Sequence, residues 1–339
     1  MRAAYLIKHG PANQAFEIRE TTTPEPGSGE VRIQVEAFGL NYADVMARLG
    51  LYPAAPKPPG ILGYDIAGRI DTIGKGVEGL TKGQRVAAMT RFGGYAEYAC
   101  TQASGVVPLP DALSGETGTA LMTQYGTAWH MAEDRVRLHE GDHVLIHAAA
   151  GGVGTALVQL ARHHGCVIYG TAGSAEKLAY LQKMGVQHPI NYREADFEAN
   201  IQTLRGEAGL DVIFDPVGGD SIRKGMRLLG AGGRLITFGA SSMSSAKNIF
   251  QKLKVGWGFG FWHPIKLLAP SKALIGVNML ALADHRPEVI RRTLAGVVDM
   301  AASGVLKPNI GGVFPIDELA EAHHLLETRQ TMGKLVIRW

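Results

Sequence analysis

Residues 148–154 read AAAGGVG, set between the apolar run HVLIH and the stretch VGTALVQLARHHG, whose apolar residues recur at helical spacing. Strand, glycine loop, helix is the order that cradles a dinucleotide pyrophosphate. One glycine makes the turn, a second lets backbone approach the phosphates, and a third lets helix pack on strand. Gly151 and Gly154 match the second and third positions, and Ala149 stands at the first. The N-terminus of the following helix would turn free N–H groups and a positive dipole end toward the phosphates.

Which nucleotide fits is decided about twenty residues on, at the tip of the next strand, where readers of NAD carry an acid for the ribose 2′-hydroxyl. Here the tip reads Thr171, Ala172, Gly173, Ser174, with no acid, and Lys177 follows one turn into a helix. Small residues leave room and the lysine can pair with a 2′-phosphate, so NADPH is the expected cofactor. Glu176 sits in the first turn, where an acid serves the helix dipole.

A second motif, GYDIAG at 63–68, sets a tyrosine and an acid between glycines. Tyr64 can offer a hydroxyl to a pocket; Asp65 is expected to be structural, as is Asp44, a helix-capping carboxylate in NYADVMARLG.

The elements that must position these residues divide the chain. Up to about residue 110, short alternating runs such as VRIQVEAF lie between Gly- and Pro-rich turns, which predicts a β-rich, partly barrel-like domain. From about residue 143 strands and helices alternate: HVLIHA, a helix ending at Gly165, CVIYGTA, a helix capped by Ser174 and ended by Gly185, HPINY, a helix over 195–205, DVIFDP, a helix over 220–229, GRLITFG and KALIGVNM. Such alternation predicts a doubly wound parallel sheet with helices on both faces. The tail from residue 310 holds a helix and a strand that return to the first domain. The expected division is 1–121 and 280–339 for the β-rich domain and 122–279 for the dinucleotide domain.

Composition narrows the functional classes. The 339 residues are 46 % hydrophobic and 19 % charged, with a net charge of +3, a globular balance without the clustered basic surface of a nucleic-acid binder. Only Cys100 and Cys166 are present, too few for a disulfide framework or a cysteine-built metal site. No signal peptide or membrane-spanning run is visible, so a soluble, cytoplasmic protein is expected.

Taken together, the β-rich start, AAAGGVG, TAGS with its lysine, HPINY, DPVGG, LITFG and the returning tail resemble the medium-chain dehydrogenase/reductase superfamily. NYADVMARLGLYP and TAGSAEK through HPINY are similar to its zinc-independent quinone oxidoreductases, and HAAAGGVG, FDPVGG and LIGVN to the subgroup of synaptic vesicle membrane protein VAT-1 and its bacterial relatives. The resemblance implies a discontinuous GroES-like catalytic domain, a central Rossmann domain, a cleft between them and a homodimer. It places Gly151, Gly152 and Val153 at the pyrophosphate, and Gly173, Ser174, Lys177 and Tyr192 at the adenosine 2′-phosphate. Val217, Phe238 and Gly239 would line the cofactor, Val277 and Asn278 would lie near the nicotinamide, and Lys334 matches a basic cofactor position of the tail. Asn41 and Tyr52 would face the nicotinamide pocket, beside Tyr64.

Metal-dependent cousins hold zinc through an early cysteine, a Gly-His-Glu motif and a further cysteine or acid. Here the matching residues are Asn41 and Gly63, Tyr64, Asp65, with no cysteine over 119–125, so no metal site is expected. Without a Lewis acid the substrate must already be electrophilic and apolar: a quinone, an α,β-unsaturated ketone or aldehyde. The alternative is a VAT-1-like protein that binds lipid or a partner with little turnover. It turns on FQKLKVGWGFGFW, residues 250–262, which reads as core packing at the domain junction, as a wall over an apolar cleft, or as an interfacial patch beside Lys252 and Lys254. Several glycines in so short a stretch make a poor amphipathic helix, which argues against membrane association.

Overall fold

The computed structural model describes residues 1–245 and 248–339; the side chains of Ser245, Ile249 and Lys252 lie outside the described residues. The chain forms two units, residues 1–127 with 279–339, and residues 128–278. The first boundary lies at 127/128 rather than 121/122. The chain is helical from Gly115–Ala120 through His130–Val136, so no turn marks the change of unit.

In the first unit a seven-stranded sheet runs in the order Ile310–Pro315, Lys334–Arg338, Glu30–Leu40, Asp65–Ile73, Arg85–Met89, Val106–Pro108, with Tyr98–Gln102 also paired to Glu30–Leu40. The alternation of VRIQVEAF buries Val31, Ile33, Val35 and Ala37 on the core side. Register shifts at Arg32/Ile33 and Val35/Ala37 kink this strand. Arg2–Leu6, Phe16–Glu20 and Gly60–Ile61 form a smaller sheet. The returning tail supplies Leu319–Glu327 as a helix and Lys334–Arg338 as an interior strand, antiparallel to Glu30–Leu40 with Leu335 opposite Leu40.

The second unit alternates as the sequence predicts: β1 (His143–Ile146), α1 (Gly152–His163), β2 (Val167–Ala172), α2 (Ala175–Lys183), β3 (His188–Asn191), α3 (Phe197–Arg205), β4 (Leu210–Asp215), α4 (Asp220–Leu228), β5 (Leu229–Thr237) and β6 (Ala273–Gly276). All neighbours are parallel, in the order β3-β2-β1-β4-β5-β6. The order reverses between β1 and β4, and the loops after the carboxyl ends of such strands are where a dinucleotide binds.

The segment 250–262 departs from expectation. Ile249–Gly258 is a helix, capped by Asn248, whose side chain accepts the Gln251 N–H at 2.9 Å. Its glycines serve contact rather than breakage: a Cβ on Gly258 would lie 2.7 Å from the Asp220 backbone nitrogen, so the helix packs closely where α4 begins. Phe259 and Trp262 pack against the core of the unit, while Phe250, Trp257 and Phe261 stand exposed. Among the described residues no helix is long and apolar enough to cross a membrane.

Candidate active site

In the first unit three strands bring Asn41, Asp65 and Lys334 into one buried cluster. Gly39 sits opposite Asp65 across one pair of strands, and Lys334 begins the strand on the other side. A Cβ on Gly39 would lie 2.2 Å from Lys334 Cε, so only glycine leaves room for the lysine to cross to Asp65. Lys334 Nζ makes an ion pair with Asp65 Oδ2 and donates to Asn41 Oδ1 at 2.9 Å. Asn41 Nδ2 donates to Asp65 Oδ2 at 2.6 Å, and the backbone N–H of Thr123 donates to Asp65 Oδ1 at 2.8 Å. Every member is buried, so the desolvation cost of the ion pair has to be offset by the added hydrogen bonds from Asn41 and the Thr123 N–H.

Asn41 also opens the helix Tyr42–Arg48, where Asp44 Oδ2 accepts the Asn41 N–H at 2.8 Å. Asp44 is therefore the capping carboxylate expected from the sequence. Its second oxygen has no hydrogen-bond partner and its side chain is fully buried. Burial, ahead of the Asn41 N–H and the charges of Asp65 and Lys334, pushes its carboxyl up to about 7.

Tyr64 is held by a strained turn. Gly63 has φ +105°, and a Cβ there would lie 2.9 Å from the Tyr95 backbone nitrogen, so the position belongs to glycine. The Tyr64 ring packs against Phe92 at 5.0 Å, and its hydroxyl is buried with no hydrogen-bond partner. Burial first, then the nearby Asp44 and Tyr52, hold the phenol far above its ordinary range, so it stays protonated. Tyr52 is half-buried, and burial raises its phenol too.

Both ends of the Asn41 amide are engaged by Asp65 and Lys334, and the fully buried Lys334 ammonium pairs with Asp65 and Asn41.

The second unit gathers the remaining expected residues along one edge, each just past the carboxyl end of its strand. After β1 the chain turns through Ala148, at φ +52°, and Gly151 becomes the N-cap residue of α1, leaving Gly152 and Val153 in its first turn. A Cβ on Gly154 would lie 2.3 Å from the Ala148 carbonyl oxygen, which is the close helix–strand packing asked of the third glycine. After β2, Ser174 caps α2 by accepting the Lys177 N–H at 3.4 Å. Gly173 lies beneath Tyr192, since a Cβ there would sit 2.5 Å from the Tyr192 hydroxyl. After β4, the buried Asp215 fixes the loop by accepting the Val217 and Gly218 N–H groups at 2.6 and 2.9 Å. Phe238 and Gly239 follow β5, and Val277 and Asn278 follow β6, with the Val277 N–H donating to the Thr237 carbonyl at 3.0 Å.

Comparison with known proteins decides the family. Residues 27–111 match the family described as "Alcohol dehydrogenase GroES-like domain" and residues 152–260 that described as "Zinc-binding dehydrogenase". The chain is 33 % identical to the synaptic vesicle membrane protein VAT-1 homolog of Danio rerio, over 99 % of this chain and 69 % of that protein. It is 31 % identical to the quinone oxidoreductase of Rattus norvegicus, over 99 % and 97 %. The chain belongs to the medium-chain dehydrogenase/reductase superfamily. The solved quinone oxidoreductase of Escherichia coli in complex with NADPH superposes with a TM-score of 0.87 at 26 % identity, covering 100 % of both chains.

For a medium-chain dehydrogenase/reductase the chain's own residues test the zinc that one family name implies. They do not fit it: Asn41 and Asp65 already ligate an ammonium, Tyr64 offers a phenol with its proton retained, and no cluster of three His, Cys, Asp or Glu residues is found among the described residues. The same residue-level test favours a dinucleotide, because Gly154 allows the close approach of α1 to the loop after β1 that a pyrophosphate-binding turn requires.

Sequence reasoning missed Arg193. Its Nε would lie 3.2 Å from a Cβ on Gly173, so a second cation stands over the tip where Lys177 was expected to act. The signal was in plain view, an arginine directly after the tyrosine of HPINY. It also missed Thr123, whose N–H completes the shell of Asp65 from a helical segment with no motif of its own.

Proposed function

We propose that this member of the superfamily is a cytoplasmic, zinc-independent NADPH-dependent reductase of quinones or activated alkenes. The observation that carries the reading is the tip after β2: no carboxylate, a glycine beneath Tyr192, and Lys177 and Arg193 as two cations. NADPH, when bound, supplies the hydride. The glycine loop and the start of α1 orient its pyrophosphate, and the tip holds its 2′-phosphate through charge-assisted hydrogen bonds. Tyr52 and Tyr64 keep their protons and can donate to an acceptor oxygen as charge builds on it.

The substrate is thus a small, apolar, already electrophilic molecule, and no role in nucleic-acid binding is assigned. A homodimer is supported by β6, which among the described residues pairs only with β5 and leaves its outer edge open. Steady-state oxidation of NADPH against a panel of quinones and enones tests the reading. Turnover is expected; its absence with every acceptor would leave a lipid- or partner-binding protein instead.

Cofactor choice has its own test. Lys177→Ala and Arg193→Ala should each weaken NADPH by about tenfold, the worth of one charge-assisted hydrogen bond, and leave NADH within about twofold. Equal losses for both nucleotides, measured by fluorescence titration, would remove the two residues from the 2′-phosphate.

A further inference from the structure

Ala148 holds φ +52°, a left-handed conformation that glycine adopts freely and alanine resists, in the turn that leads β1 into α1. An alanine stays there only where its surroundings outweigh the strain. The Ala148 N–H donates to Thr171 Oγ1 at 3.2 Å, the Ala149 N–H donates to the Thr171 carbonyl at 3.0 Å, and the Ala148 carbonyl accepts the Gly151 N–H at 2.9 Å. The first two of these bonds end on one residue of β2, so Thr171 carries the turn.

Thr171 is fixed in its turn by a residue outside the glycine motif. Ile146 lies opposite Gly170 on one side and Phe214 on the other, so His147, Thr171 and Asp215 stand abreast at the carboxyl ends of β1, β2 and β4. All three are buried. The His147 N–H donates to the Phe214 carbonyl at 3.1 Å, its ring meets Phe197 edge-on at 4.6 Å, and its Nδ1 lies 3.2 Å from Thr171 Oγ1. The Asp215 carboxylate on the other flank is already occupied by the Val217 and Gly218 N–H groups and the Ser221 hydroxyl.

Hydrogen-bond capacity assigns the protons. Thr171 Oγ1 accepts the Ala148 N–H, which leaves its own proton to place. If His147 Nδ1 accepts that proton, the Nε2–H alone is left without a partner; if Nδ1 were protonated, both Nε2 and the Thr171 proton would be left. The first arrangement leaves fewer buried polar groups unmet, so Thr171 donates to Nδ1. Burial holds the imidazole below its ordinary value, against the opposing charge of Asp215, and keeps Nδ1 free to accept.

We propose that His147 is a positioning residue that, through Thr171, clamps Ala148 in its left-handed turn and preforms the glycine loop for a dinucleotide pyrophosphate. The proposal rests on the dinucleotide reading of this unit and adds the residue that holds the loop in its binding shape. NADPH and NADH share the pyrophosphate, so the clamp serves both equally, unlike Lys177 and Arg193.

Fluorescence titration of the full chain with each nucleotide tests it. His147→Leu should weaken NADPH and NADH alike, by about tenfold, the worth of one hydrogen bond in this setting. Ala148→Gly added to it should recover most of the loss, since glycine takes the turn without strain. Thr171→Val keeps the side-chain shape and should show at least the same loss, which carries the test should His147→Leu lower the thermal midpoint. Joining the two should add little to the larger single loss, because they act as one unit. Nitrogen NMR shifts of the His147 ring should report a protonated Nε2 and a bare Nδ1. Unchanged binding in His147→Leu, losses that multiply in the double variant, no recovery with Ala148→Gly, or a proton on Nδ1 would each overturn the clamp and leave the dinucleotide reading standing. A wild type that binds neither nucleotide removes the reading and the clamp together.

Discussion

Lys334→Met should destabilise the protein by about 3–5 kcal/mol, because it leaves the carboxylate of Asp65 buried without its cation. Asp65 is fully buried, and its remaining partners, the Asn41 amide and the Thr123 N–H, are neutral donors. Urea denaturation followed by circular dichroism measures the loss. Asp65→Asn combined with Lys334→Met should recover most of it, since the new amide oxygen can keep the Thr123 N–H and no charge remains to be desolvated. A single variant within about 1 kcal/mol of wild type would mean that water or another cation reaches Asp65, and the cluster would lose its place as the anchor of the first unit.

The second large effect concerns pH. Burial raises the Asp44 carboxyl to about 7 in the fold, from an ordinary value of 3.8. A raised acid binds its proton more tightly in the folded than in the unfolded chain, so between these values folding takes up a proton. Stability from this group therefore falls as pH rises from about 4 to about 7, and is level above, where both states are ionised. The span corresponds to an order of 4 kcal/mol. Asp65, Lys334, Tyr95 and Asn41 act on Asp44, so the contribution is isolated by difference. Asp44→Asn can still accept the Asn41 N–H and removes the titration. The variant should be more stable than wild type at pH 8, and the gap should close toward pH 4. Parallel stability curves for the two proteins would show that Asp44 ionises in the fold as freely as in water.

Much of this was legible in the sequence, for identifiable reasons. The six-stranded parallel sheet follows from alternation of period-two and period-3.6 apolar patterns, and the helix ends at Gly165 and Gly185 from glycines at φ +71° and +90°. The expected cofactor residues of the Rossmann unit all lie past the carboxyl ends of its strands, because a local motif carries its own geometry. Long-range contacts were not legible. Nothing local to Asn41 says that its amide is spent on a lysine 293 positions away. Arg193 gains meaning only once Gly173 lies beneath it, and the glycines of 250–262 read as breakers until the start of α4 is seen against them.

The buried pairing of Asp65 with Lys334 also sets an order in time. A chain emerging from the ribosome presents Asp65 early, among strands that can already begin to pair. The interior strand that carries its counter-ion follows the whole 128–278 unit in the chain. Domains fold as units as they emerge. The inserted unit can therefore complete its sheet first, while the earlier residues wait with an open seam beside Glu30–Leu40 and a carboxylate that has no cation. A chain cut before Lys334 would therefore carry the dinucleotide fold attached to a first unit whose buried carboxylate has no cation.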